Sequence, residues 1–198
     1  MFPLIIISGP AGVGKTTVAK ALLKTFPLKT GVTYTTRKPR QFSSEDKKIY
    51  YISREEFAKR RAAGEFLEWA IVHGDYYGTH RLETEAAMRS GPVVFNIDVQ
   101  GAEQLMAKYG EQCISIFLLP ESHEQIVDHI KSRGEMSRGN FQARLKSAEF
   151  ELTKKDLFQH QIINREGQLN KTIAVIAKII RPRLKAPHAP IDKKPKAS

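Results

Sequence analysis

A single cysteine in 198 residues, Cys113, excludes disulfides as a stabilising framework within the chain. It adjoins the apolar run ISIFLL, where a lone cysteine serves as a small buried hydrophobe rather than a nucleophile. No stretch of about 18 apolar residues exists, which excludes a transmembrane helix. The first eight residues lack the basic start, long apolar segment and small-residue cleavage site of a signal peptide. We therefore expect a soluble, unexported, cytoplasmic protein. Acidic residues are scarce, 21 against 32 Lys and Arg, and the net charge is +11. Six Lys or Arg against one Asp lie in Arg181 to Ser198, so about +5 of that surplus belongs to a Pro-rich end expected to be solvated. With so much of its charge there, the chain is not expected to bind nucleic acid. No internal repeat is visible.

What is present suits one compact unit, since 41% hydrophobic residues can bury one good core. Leu4 to Ser8 reads as a short buried strand, and Lys15 to Thr25 places Val18, Ala21 and Leu22 at helical spacing. Later strands of the same continuous apolar type are Pro92 to Asp98, Cys113 to Leu119 and Gln161 to Asn164. Helical patterns at Leu82 to Arg89 and Ala102 to Lys108 separate them, and Leu169 to Ile180 forms a last helix. The alternation predicts an α/β fold, a parallel sheet with helices on both faces. Two regions break the rhythm and read as inserts, about Val32 to Thr79 and about Ile126 to Arg144.

Between the first strand and the first helix stands SGPAGVGKTT. Gly9, Gly14, Lys15 and Thr16 fit G-x-x-x-x-G-K-[ST] in the strand-to-helix context that gives the motif its meaning. Gly9, Gly12 and Gly14 let backbone amides turn inward around a phosphate, and the helix N-terminus adds partial positive charge. Lys15 can reach the β and γ phosphates, and the Thr16 hydroxyl can ligate Mg²⁺. Ala11, Val13 and Thr17 complete the expected ATP-binding loop.

The inserts narrow the class. VTYTTRKPR (Val32 to Arg40), GEFLEWAIVHGDYYGT (Gly64 to Thr79) and NIDVQG (Asn96 to Gly101) together resemble the guanylate kinase family, with similarity from about Leu4 to Ile180. The resemblance implies a P-loop core (1–31, 80–125 and 145–182), a GMP-binding region (32–79), a lid (126–144) and a basic, disordered tail (183–198). It implies ATP-dependent phosphorylation of GMP, and of dGMP, with Mg²⁺ as cofactor, in a monomer or homodimer. Arg37 and Arg40 would hold the acceptor phosphate with planar forks, and Tyr77 would offer it a phenol. Glu68 would accept from the N1 and N2 edge of guanine, which adenine cannot supply. Thr33 and Thr79 would lie near the base or its phosphate. Arg133 and Arg144 match lid arginines that stabilise charge in transit, and Asn164 matches an asparagine near the adenine. Lys15, Arg133 and Arg144 are thus the expected catalytic cations.

Several positions depart from the family. Gln41, Phe42 and Ser43 replace P-G-E, Asn96 replaces an acidic residue, Arg165 an aspartate and His129 a common lid arginine. Ile49 occupies the position of a phosphate-binding tyrosine. Either the phosphate loses a phenol, or Tyr51, on the same strand face as Ile49, substitutes for it. Asp98 is the one carboxylate at that strand end, serving either the guanine or a water on Mg²⁺. The competing readings are a phosphotransferase on a related acceptor, such as a phosphorylated sugar, and a non-catalytic guanylate-kinase-like interaction domain. The intact P-loop argues against the second.

Overall fold

In the computed structural model, which describes residues 2–39, 49–132 and 137–185, β1 (Leu4–Ser8) is buried at every position. It lies at the centre of a parallel sheet, between β7 (Val93–Asn96) and β8 (Cys113–Leu119), with β2 (Lys29–Thr30) and β9 (His160–Ile163) outside them. The strand period of two divides the core. Ile5 and Ile7 pack with Val18 and Leu22 of α1 (Lys15–Thr25) and with Ile176 and Ile180 of α7 (Leu169–Lys185). Leu4 and Ile6 pack on the opposite face with Met88 of α3 (Arg81–Ser90) and with Ala102 and Leu105 of α4 (Val99–Tyr109). Each fully buried aliphatic side chain contributes roughly 1.5–3 kcal/mol, which makes β1 the anchor for whatever follows it. Burial pushes the Cys113 thiol up to about 11, in keeping with a structural role.

The second sheet is smaller and mixed. Its order is β4 (Ile49–Tyr51), β3 (Thr33–Thr35), β6 (Asp75–His80), β5 (Phe66–Val72). β3 and β4 are parallel, whereas β3–β6 and β5–β6 are antiparallel. His73 (φ 52) and Gly74 (φ 86) turn the β5–β6 hairpin, both with the positive φ that a tight two-residue turn of this hand needs. Phe57 of α2 (Arg54–Ala62) stacks on Phe66 at 4.5 Å between ring centres and covers one face of this sheet. The other face is left for the site. α5 (His123–Lys131) and α6 (Arg138–Leu152) pair through Ile126, Ile130 and Ala148.

Several boundaries differ from the sequence reading. The strand expected through Asp98 ends at Asn96, because the Asp98 side chain accepts from Gly101 N–H at 2.9 Å and caps α4. Asn164 likewise lies just beyond β9. The last helix continues through Pro182 to Lys185, so residues 183–185, assigned to the tail, are helical. Leu184 packs against the core, and Arg183 donates to the Glu111 carbonyl. Residues 186–198 of that expected tail lie outside the described residues.

Candidate active site

The chain leaves β1 at the centre of the sheet, where neighbouring strands are reached from opposite sides and a crevice opens at the strand ends. Gly9, Gly12 and Gly14 all have positive φ (137°, 88° and 92°). A Cβ on Gly14 would lie 2.6 Å from Asn164 Nδ2, so the loop needs glycine there for space as well as for conformation. No side chain caps α1, although Ser53, Asp98, Ser122 and Ser137 cap α2, α4, α5 and α6. The first amides of α1 are thus left for an anion. Lys15 Nζ folds back onto the carbonyls of Gly9 and Pro10, the latter at 3.0 Å. Thr16 Oγ1 accepts from Asn96 Nδ2 at 3.1 Å.

Asn164 is buried beneath this loop. Its Nδ2 donates to Val13 O at 2.8 Å, and its Oδ1 accepts from Thr172 Oγ1 at 2.9 Å. Its side chain thus braces the loop from behind. Val13 is buried and packs into the core cluster with Ile5 and Ile7. Gly12, Gly14, Lys15, Thr16 and Thr17 line a pocket of about 270 Å³ together with His129 and Ser132.

Beside it, a second cavity of about 270 Å³ runs from the P-loop to the smaller sheet. Ala11, Lys15 and Thr16 line one end. Thr33, Arg37, Glu68, Tyr77, Thr79, Asp98 and Arg144 line the rest. Strand register accounts for the far end, because Thr33 pairs with Thr79 and Thr79 with Glu68 across three adjacent strands. A bulge between Phe66 and Glu68 lets Phe66 turn to the α2 face while Glu68 turns to the cavity.

Glu68 is 5% exposed and accepts a hydrogen bond from the Thr79 hydroxyl. A Cβ on Gly101 would collide with its carboxylate, so glycine at the start of α4 leaves it room. Burial pushes the Glu68 carboxyl up to about 7; the Thr79 bond opposes this and the negative charge of Asp98 adds to it. Burial also raises Asp98, against hydrogen bonds from Gly101 and Gln100 and the charge of Lys15. Two carboxyls facing one cavity, one of them short of donors, suit a ligand edge rich in N–H groups.

Arg37 is oriented by β4. Its Nη2 donates to Tyr51 Oη over 3.4 Å, and its guanidinium lies 5.6 Å from the centre of that ring. Ile49 lines an adjoining cavity with Arg37 and Tyr77. Arg40 and Arg133, and with them Gln41, Phe42 and Ser43, lie outside the described residues. Glu151 of α6 lines the cavity and was not foreseen, although it follows Arg144 by seven residues, two helical turns. His129 was noted only as a departure, yet it packs over Gly12.

The cavity can therefore bring an anion on the P-loop against a second anion on Arg37, with hydrogen-bonding carboxyls beyond. Mg²⁺ takes hard oxygen ligands, one or two from protein and the rest from phosphates and water. The Thr16 hydroxyl fits that need, and no cage of three or more His, Cys, Asp or Glu occurs among the described residues.

Comparison with known proteins agrees with this arrangement. Residues 2–183 match the family model described as guanylate kinase. The chain is 40% identical over 189 residues to a guanylate kinase of Helicobacter pylori, covering 93% of this chain and 91% of the relative. It is 37% identical over 177 residues to one of Bartonella quintana, covering 89% and 79%. A crystal structure of guanylate kinase from Anaplasma phagocytophilum superposes with a TM-score of 0.72 at 29% identity, covering 93% of this chain and 87% of that one.

Proposed function

This chain belongs to the guanylate kinase family and phosphorylates GMP with ATP, and we propose the following division of labour among its residues. The observation that carries it is the single cavity joining Lys15 and Thr16 at one end to buried Glu68 at the other. Guanine donates its N1 and N2 hydrogens to Glu68, with Asp98, Thr33 and Thr79 around the base. The acceptor phosphate rests on Arg37 and Tyr77, joined by Arg40. Tyr51, already in contact with Arg37, takes the part of the phenol missing at Ile49. The same contacts serve dGMP.

The triphosphate lies on the amides of Gly9 to Thr17, its β and γ oxygens on Lys15. Thr16 would hold Mg²⁺, with Asp98 acting through a water, and the metal would supply positive charge that neutralises part of the triphosphate's. An oxygen of the GMP phosphate attacks the γ phosphorus as the bond to the β-bridging oxygen breaks, and ADP leaves. The nucleophile is already an oxyanion, so no general base is required. Lys15, Arg144 and Arg133 stabilise the charge on the phosphoryl group in flight. In this scheme residues 32–79 bind the acceptor, 126–144 form the lid and the remaining segments through 182 form the core. Among the described residues no helix is long and apolar enough to cross a membrane, and we place the enzyme in the cytoplasm as a monomer or homodimer.

A coupled assay of ADP formation with GMP, dGMP, AMP, UMP and CMP tests the reading. GMP and dGMP should be used well and the others poorly. Comparable turnover with AMP would overturn the assignment of Glu68.

A further inference from the structure

β5 ends the order of the smaller sheet, so its outer edge has no partner strand among the described residues. Alternate residues of an edge strand turn their N–H and C=O outward, and such groups call for partners. Here α4 of the core supplies them from its side chains. Gln104 Oε1 accepts from Trp69 N–H at 3.2 Å, and its Nε2 donates to Trp69 O at 2.7 Å. One turn earlier, Gln100 Nε2 donates to Ile71 O at 3.0 Å. The two periods match, since four residues of helix rise about 6 Å and two residues of strand about 6.8 Å. Glutamines four apart on the helix therefore meet residues two apart on the strand.

Covering an edge accounts for Gln104. It does not account for Gln100, whose amide also reaches into the site. Gln100 Nε2 donates to Asp98 Oδ2 at 2.9 Å, while Asp98 Oδ1 accepts from Gly101 N–H at 2.9 Å. Both oxygens of Asp98 are thus held, and the amide that holds one of them is itself fixed to the strand that carries Glu68. An exposed glutamine on a helix is ordinarily solvated, yet this one commits its amide to two elements of the site. The neighbouring charges give that a use. Asp98 and Glu68 line one cavity, and like charges repel. A Cβ on Gly101 would lie 3.4 Å from Asp98 Oδ1 and against the Glu68 carboxylate, so both acidic groups crowd the same glycine. Released from Gln100, the Asp98 carboxylate is free to turn away from Glu68 about its remaining bond to Gly101.

We propose that Gln100 is a positioning residue that holds the Asp98 carboxylate at a set distance from the strand carrying Glu68, and so fixes the spacing of the two acceptors that meet the guanine edge. This rests on the reading of Glu68 and Asp98 as groups around the base. Gln100 touches neither nucleotide in that scheme. Its contribution passes through Asp98 and belongs to the use of GMP, whereas ATP, held by the P-loop, is left alone.

The test is a double-mutant cycle in the full chain, read as the KM for GMP, the KM for ATP and kcat. Gln100→Met, nearly as long but without donors, should raise the KM for GMP by about five- to tenfold. The KM for ATP should stay within about twofold of wild type and kcat at saturating GMP within about threefold. Asp98→Asn keeps an oxygen to cap α4 and should itself raise the KM for GMP. In that background Gln100→Met should cost little more, because the carboxylate it holds is gone. Gln104→Ala, which loosens the strand edge without touching Asp98, should instead cost the same in both backgrounds. Equal losses from Gln100→Met in both backgrounds, a KM for ATP that rises with that for GMP, or a loss confined to thermal stability would overturn the proposal. Should Gln100→Met not fold, Gln100→Ala takes its place in the same cycle with the same expectation. A wild-type KM for GMP in Asp98→Asn alone would refute the underlying reading of Asp98 and the proposal with it, an outcome distinct from additivity with an impaired Asp98→Asn.

Discussion

Glu68→Gln separates the cost of the acceptor pocket from its use. The wild-type carboxyl is 5% exposed and stands at about 7 against an ordinary 4.5, chiefly through burial. Each tenfold in proton affinity is about 1.4 kcal/mol, so the ionised side chain costs the ligand-free fold about 3 kcal/mol above pH 7. A carboxyl whose folded pKa is raised makes the folded state the stronger proton binder between the two values. Stability on this account falls as pH climbs from 4.5 to about 7 and stays reduced above it. Glutamine has nearly the same volume, keeps an acceptor for the Thr79 hydroxyl and carries no charge. The variant should unfold later than wild type at pH 8, by up to about 3 kcal/mol or roughly 6–12 °C in Tm, and the gap should close near pH 4.

Selection among bases should move the other way. Guanine offers two donors to the carboxylate, and a hydrogen bond to a charged group is worth about 1.5–3 kcal/mol. Together they give GMP an advantage over AMP of about 3–6 kcal/mol, on the order of 10² to 10⁴ in kcat/KM. Glutamine turns one acceptor into a donor, and that ratio should collapse while the KM for ATP barely changes. Because guanine binds the ionised carboxylate, wild-type kcat/KM for GMP should fall about tenfold for each pH unit below about 7, and the variant should lack that limb. The ADP-coupled assay with both acceptors, together with thermal unfolding at two pH values, reads all of this. An unchanged GMP to AMP ratio, or a variant less stable than wild type at pH 8, would refute the reasoning.

Lys15→Ala should reduce phosphoryl transfer by at least about a hundredfold, and near-normal turnover at saturating ATP would overturn the donor site. Tyr51→Phe removes the oxygen that Arg37 reaches, so the KM for GMP should rise by up to about tenfold with kcat little altered; an unchanged KM would return the acceptor phosphate to Arg37 and Tyr77 alone. Gln104→Ala frees the edge of β5, where the amide now bonds both N–H and C=O of Trp69 (3.2 and 2.7 Å), and should raise the KM for GMP without touching that for ATP.

The parallel core was legible because its strands are continuous apolar runs and its first turn is punctuated by glycines whose φ values only glycine tolerates comfortably. Leu4–Ser8, Lys15–Thr25 and Cys113–Leu119 fall where periodicity placed them. The smaller sheet was not legible as a sheet. Thr33–Thr35 and Ile49–Tyr51 are three residues each, too short to show alternation, and their partners are polar and aromatic. Helix α6 was hidden for another reason. Its inward face mixes Leu145 and Ala148 with Arg144, Ser147 and Glu151, and charge on the buried side cancels the apolar period by which helices are read. The same mixture is what a helix facing a charged reaction must carry. Glu151 was missed because it belongs to no motif of the phosphate loop, and the seven-residue step from Arg144 is the signal that points to it.

Asn164 shows structural work that a motif match does not reveal. An asparagine near a nucleotide invites a base contact, but the loop it adjoins has a problem that apolar packing cannot solve. A turn built on three glycines exposes carbonyls as well as amides, and those pointing away from the phosphate must be satisfied inside the protein. Val13 O is one of them, and Asn164 Nδ2 meets it while Thr172 and Gln125 hold the asparagine in place. Glu68 meets the mirror-image problem at the other end of the cavity, where Thr79 supplies one donor and the remaining acceptor capacity faces the cavity. The two buried polar residues differ in whether the fold completes their hydrogen bonds. The one it completes is a brace, and the one it leaves incomplete is where we propose that the protein selects its acceptor.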